Sequence, residues 1–173
     1  MSDKRELIAV RGRDLRVATW LETLTGTHRV TALEGPRGVD PRRFGVPTEG
    51  SDWYVDGDPA SFGLCLAQLE RVLLAREPGV LLVGDGQGAA LALALACCWP
   101  ERLAGVIAID GALPELPAGA LAEAPMHDLQ VSLVGATGDT ASRLRARGAQ
   151  VTCLLWPMGS APVRRPPAGS GRW

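Results

Sequence analysis

The residues best placed to carry chemistry lie between Gly79 and Ala90, Gly-Val-Leu-Leu-Val-Gly-Asp-Gly-Gln-Gly-Ala-Ala, and run directly into the apolar segment Leu91–Cys98. Val80–Val83 has the composition of a strand buried on both faces. Gly84, Gly86 and Gly88 allow a tight turn, and Ala89–Ala96 is a strong helix former. Two chemistries fit such a strand–turn–helix unit. One is a nucleophile elbow, G-x-S-x-G, with Gly84 and Gly88 at its small positions and Gly86 where the serine belongs. The other is a dinucleotide fingerprint filled by Gly84, Gly86 and Ala89, with Asp110, 24 residues after Gly86, as the ribose-binding acid. The window alone does not separate the two.

Its surroundings favour the elbow. The stretch Val80–Pro114, VLLVGDGQGAALALALACCWPERLAGVIAIDGALP, resembles the small carboxylesterase/phospholipase family of α/β-hydrolases. That family reads as a hydrophobic strand, G-F-S-Q-G-G, an Ala/Leu helix, P-x-x-L-A-G, a second strand and S-G-x-L-P. Gln87, Pro100–Gly105 and Gly111–Pro114 match in order. Trp53 and Tyr54 stand where the family often carries W-[YF]-D, although Val55 separates Tyr54 from Asp56. The resemblance covers about residues 7–160. It implies a single-domain α/β three-layer sandwich whose mostly parallel six-stranded sheet has the order 2-1-3-4-5-6, a minimal α/β-hydrolase-like fold.

The triad that the resemblance implies is not filled. Such an enzyme needs a nucleophile, a histidine base and a carboxylate to orient it. Gly86 offers no side chain. Where the family has Y-P-G-G-H, this chain reads Trp156-Pro157-Met158-Gly159-Ser160, so Ser160 takes the histidine position. The acid follows the fifth strand as G-x-x-D; here Asp139 comes one residue late and reads first as a helix N-cap. The turn after the first strand, H-G-x-G in the family, is Arg11-Gly12-Arg13-Asp14. An aspartyl nucleophile at Asp85 fails on register, since Val83 and Gln87 would fall at positions needing small residues.

What remains at the sheet's carboxyl edge is polar. Asp85, Asp110 and Asp139 are the candidate acid/base groups, and Arg11, Gly12, Arg13, Gly84, Gly86, Gln87 and Gly88 are the candidate ligand contacts. Open α/β sheets bind ligands at this edge, and the N–H groups after Gly86 could hold an anion. The leading expectation is a non-hydrolytic protein that binds a small ligand or a protein partner. A lyase, isomerase or cyclase using Asp85 or Asp110 is the alternative, and a nucleotide-binding module the third.

The elements that must position these residues follow a regular alternation. Strands are expected at Leu7–Val10, Arg29–Leu33, Val80–Val83, Gly105–Ile109, Val131–Val134 and Gln150–Leu155. Helices are expected at Leu15–Leu24, from Pro59 to Glu77 with Phe62, Leu66, Leu69 and Leu73 on one face, and at Thr140–Arg147. Residues 35–58 read as a long loop, and Pro114–Pro125 as another, with a helical turn near Ala118–Glu123. Residues 1–160 form one domain on this reading, and 161–173 a Pro/Gly/Arg-rich tail.

Composition sets the remaining bounds. The chain has 173 residues, 46% hydrophobic and 21% charged, enough for one core. A net charge of −1 gives no reason to expect nucleic acid. The longest apolar run, Ala89–Trp99, is too short to cross a bilayer, and the N-terminus lacks a signal-like run, so a cytoplasmic location and no membrane association are expected. Cys65, Cys97, Cys98 and Cys153 lie in apolar segments without ligand spacing, so no metal and no cofactor are expected. With no amphipathic helix after the last strand, one sheet face is expected to lack its final cover, which points to a homodimer.

Overall fold

The computed structural model describes residues 4–12, 25–35, 52–115, 124–135 and 138–155. The helix expected at Leu15–Leu24, the turn at Ala118–Glu123, most of the 35–58 loop and everything from Trp156 onward, Ser160 and the tail included, lie outside these residues. The elements are β1 (Arg5–Arg11), β2 (His28–Glu34), α1 (Pro59–Leu74), β3 (Val80–Asp85), α2 (Gln87–Cys98), a 3-10 turn (Pro100–Arg102), β4 (Leu103–Ile109), β5 (Gln130–Val134), α3 (Thr140–Ala146) and β6 (Gln150–Leu154).

The six strands form one sheet in the order β2-β1-β3-β4-β5-β6. Every neighbouring pair is parallel, so the expected order holds and "mostly parallel" becomes wholly parallel. Parallel strands joined by crossovers bury both faces, which is why β1, β3 and β4 read as near-continuous apolar runs.

On one face Ile8, Val10, Leu82, Val106, Val131 and Leu133 pack with side chains of all three described helices. On the other, Leu7, Ala9, Val83, Ile109 and Val134 form a smaller cluster. All five of those are buried, whereas along the last strand Thr152, Cys153 and Leu154 are exposed, so among the described residues cover is missing at the β6 edge and not over the centre of the sheet.

Helix α2 is the spine. Gly88 through Cys97 are all buried, because α1 packs on one side of it and β1, β3 and β4 on the other. A helix enclosed all round has no polar face to show, which explains its Ala/Leu composition. The glycines around it divide their labour. Only Gly86 has a positive φ, so the turn is one residue long. Gly84 and Gly88 serve close approach instead: a Cβ on Gly84 would meet the Gly88 carbonyl oxygen at 2.5 Å, and one on Gly88 would strike the Val10 carbonyl. That is why β3 runs on to Asp85 and α2 starts at Gln87, each two residues beyond the reading from composition.

Candidate functional site

At Gly86 the chain passes from β3 into α2 with φ 54° and ψ −117°. Its N–H donates to the Ile109 carbonyl at 2.9 Å, and its carbonyl accepts from Ala89 at 3.1 Å and Ala90 at 3.2 Å. The turn is therefore fixed on both sides. Among the described residues, a Cβ built on Gly86 meets nothing within 4 Å. This is the geometry of a nucleophile elbow, with open space where a nucleophile would project. The N–H groups of Gln87 and Gly88, in the first turn of α2, have no acceptor four residues back within their own helix.

Two clamps hold the loops beside this turn. The Gln87 side chain makes the first. Its Oε1 accepts from the backbone N–H of Trp53 at 2.9 Å and of Tyr54 at 3.4 Å, and its Nε2 donates to the Tyr54 carbonyl and to Asp56 Oδ1, both at 3.0 Å. Trp53, 5% exposed, anchors the same segment by donating from Nε1 to the Arg11 carbonyl at 2.7 Å. Its own carbonyl accepts from the Cys65 thiol at 2.6 Å. The Tyr54 ring meets Phe62 edge-on at 4.9 Å. Burial, with Asp56 and Cys65 nearby, pushes the Tyr54 hydroxyl up to about 12, and burial also raises the Cys65 thiol.

The second clamp comes from α3. Buried Thr140 accepts the Leu113 N–H on Oγ1 at 3.0 Å, while Arg143 donates to the Leu113 carbonyl at 2.9 Å and the Pro114 carbonyl at 3.2 Å. Reading types and spacing missed Thr140 and Arg143. The only hint in the sequence was their place on a short helix, Thr140 at its start and Arg143 one turn on.

The expected site residues fall into three groups. Gly84, Gly86, Gln87, Gly88 and Asp85 are contiguous at the elbow. Asp85 is 3% exposed, at the end of β3 opposite Ile109, so it is no solvated loop acid. Gly12 lies against it; a Cβ there would strike the Asp85 carbonyl. Arg11 reaches the same edge, but its guanidinium pairs with Glu34 at 2.6 Å, directly across the β1–β2 ladder. Arg13 lies outside the described residues.

Asp110 ends β4 in an exposed turn at φ 48°. Its N–H donates to the Val134 carbonyl at 2.8 Å, and its Oδ1 lies where a Cβ on Gly135 would be. The carboxylate thus leans toward β5. Asp139 occupies the N-cap position of α3 without making the expected capping bond. It stands 4.0 Å from Arg143 and is largely exposed, which is the geometry of a weak surface pair.

Both histidines of the chain lie at the opposite edge. His28 opens β2, with its Nδ1 2.8 Å from Thr27 Oγ1, and His127 sits in the turn before β5. The strands are five to seven residues long, about 20 Å at roughly 3.3 Å per residue. No imidazole of this chain is near Gly86. Among the described residues no group of three or more His, Cys, Asp and Glu could hold a metal ion, and no helix is long and apolar enough to cross a membrane.

No protein-family model and no curated protein sequence matches the chain. Solved structures do match it. A phospholipase/carboxylesterase from Dyadobacter fermentans is 17% identical with a TM-score of 0.66, covering 90% of this chain and 81% of its own. YahD, solved with malic acid, is 15% identical with a TM-score of 0.68, over 92% and 86%. The Bacillus cereus carboxylesterase is 13% identical with a TM-score of 0.59, over 90% and 80%. At such identities the likeness establishes the fold, that of the carboxylesterase/phospholipase-type α/β-hydrolases.

Proposed function

We propose that this chain is a non-hydrolytic protein on an α/β-hydrolase framework, and that the crevice beside Gly86 binds a small ligand. One observation carries the reading: the elbow keeps its backbone shape around a glycine, while both imidazoles stand at the far edge of the sheet. Hydrolysis through an acyl-enzyme needs an oxygen or sulfur nucleophile and a base within hydrogen-bond reach. Gly86 supplies no nucleophile, and no histidine of this chain supplies a base.

Binding asks for less. The N–H groups that open α2 favour a negative or carbonyl oxygen, and the space over Gly86 leaves room for one. A small carboxylate is the class to try first, since YahD, a structural neighbour, was solved with malic acid. Titration with malate, followed by amide NMR, is expected to shift Gln87 and Gly88 before the rest of the chain. Turnover of an activated short-chain ester is expected to stay at the buffer rate. Ester turnover that vanishes on changing Asp85 would overturn the reading.

Acid–base catalysis without hydrolysis is a second reading, favoured by Asp85 alone. A carboxylate 3% exposed beside a ligand crevice is well placed to hold or pass a proton. The nucleotide reading has less support, because Asp110 leans toward Gly135 and β5 rather than toward the Gly84–Ala89 turn.

A further inference from the structure

We propose that the strap Trp53–Asp56 controls how tightly the crevice beside Gly86 holds its ligand, with Gln87 as the positioning residue that joins the two. The control rests on reading that crevice as a ligand site, and adds what sets the affinity there. Residue 87 faces two ways. Its backbone N–H belongs to the first turn of α2, while its side chain is committed elsewhere. An amide has two acceptor lone pairs and two N–H donors. All four are used: Oε1 accepts from the N–H groups of Trp53 and Tyr54, and Nε2 donates to the Tyr54 carbonyl and Asp56 Oδ1. The side chain has nothing left to offer a ligand, so it acts on binding through the strap.

The strap has its own footing at the carboxyl edge of the sheet. Trp53 Nε1 is tied to the Arg11 carbonyl at the end of β1. Just past β2, a Cβ on Gly35 would meet the Asp52 carbonyl oxygen at 2.7 Å and the Trp53 nitrogen at 3.0 Å. Toward α1, the Cys65 thiol donates to the Trp53 carbonyl, the Val55 N–H donates to Ser61 Oγ at 3.0 Å, and the Asp58 N–H donates to the Val55 carbonyl at 3.0 Å. The strap is thus fixed to β1 and α1 independently of Gln87, and Gln87 carries its position to the elbow.

The opening N–H groups of a helix have no partner within it. While the latch is made, those of Gln87 and Gly88 are ordered before a ligand arrives. Without it the ligand must order them itself, and its apparent affinity falls by the fraction of molecules already in place. By linkage, a bound ligand tightens the strap by the same factor.

Malate titrations followed by amide NMR test this. Gln87→Met matches the side chain in length, stays neutral and keeps the backbone N–H, but removes the latch. It should bind malate about tenfold more weakly than the wild type, with the Gly88 amide still moving. Asp56, which is exposed, separates bond from charge. Asp56→Asn and Asp56→Ala both remove the charge, but only the first keeps an acceptor for Nε2. Asp56→Ala should therefore bind malate more weakly than Asp56→Asn, and the difference should vanish in the Gln87→Met background. If Gln87→Met does not fold, the two Asp56 variants decide alone. Malate held equally well by the wild type and Gln87→Met, or by the two Asp56 variants, overturns the control and leaves the ligand site standing. A wild-type chain in which malate moves neither Gln87 nor Gly88 overturns the ligand site, and the control with it.

Discussion

Two neighbouring strand ends meet one conformational demand in different ways. β3 leaves the sheet through Gly86 at φ 54°, and β4 leaves it through Asp110 at φ 48°. Glycine takes this region freely, whereas a residue with a β-carbon is strained there. At Gly86 the strain is absent, and so is any side chain that could act. At Asp110 the strain is kept and a carboxylate is held against the next turn. The difference teaches that the backbone at this edge is specified independently of chemistry. The turn holds its shape because Gly84, Gly88 and Gly111 admit close packing around it.

Substitutions can separate these two turns, and the largest effect should come from the packing that shapes the elbow. Gly88→Ala drives a methyl into the Val10 carbonyl, a backbone atom that cannot swing aside. A loss of about 3 kcal/mol is expected in urea unfolding. Gly135→Ala comes next, at about 2 kcal/mol, since it combines φ 92° with a collision against Asp110 Oδ1. Adding Asp110→Gly should recover part of that loss, and strict additivity in the cycle would show that the two residues do not touch.

Gly86→Ser should cost only about 1 kcal/mol, because the new side chain enters open space and only φ resists it. The same variant should have no esterase activity; measurable turnover would mean that a base had been overlooked. Asp110→Gly alone should stabilise by a few tenths to about 1 kcal/mol, and a loss instead would show that the carboxylate secures the β4–β5 turn.

The smallest effect concerns Tyr54, the one tyrosine of the chain, whose ultraviolet titration is therefore unambiguous. Its midpoint should fall near pH 12 in the folded protein, against 10 for an ordinary tyrosine. The folded value is raised, so its contribution to stability is fully present below pH 10 and is lost as the pH rises toward 12.

The alternation of strands and helices was legible because apolar runs and glycine breaks are local signals. Sheet order came from the resemblance, carried by Gln87, Pro100–Gly105 and Gly111–Pro114. Strand ends were misjudged by one or two residues where a polar residue, such as Arg5, Arg11 or Asp85, continues a ladder that its neighbours define. The candidate site was legible as a list and illegible as a geometry. Nothing in the spacing announced that Asp85 is buried, that Asp110 bends toward Gly135, or that Arg11 is taken by Glu34.

The four bonds of the Gln87 amide have a consequence for how the molecule breathes. A loop amide usually exchanges its proton with water at the rate set by its own fraying. The N–H groups of Trp53 and Tyr54 are instead tied to a side chain at the start of α2, the most enclosed helix of the fold. Their protons should exchange no faster than those of the first turns of α2, and in step with them. A loop and a helix more than thirty residues apart in sequence would then open as one unit.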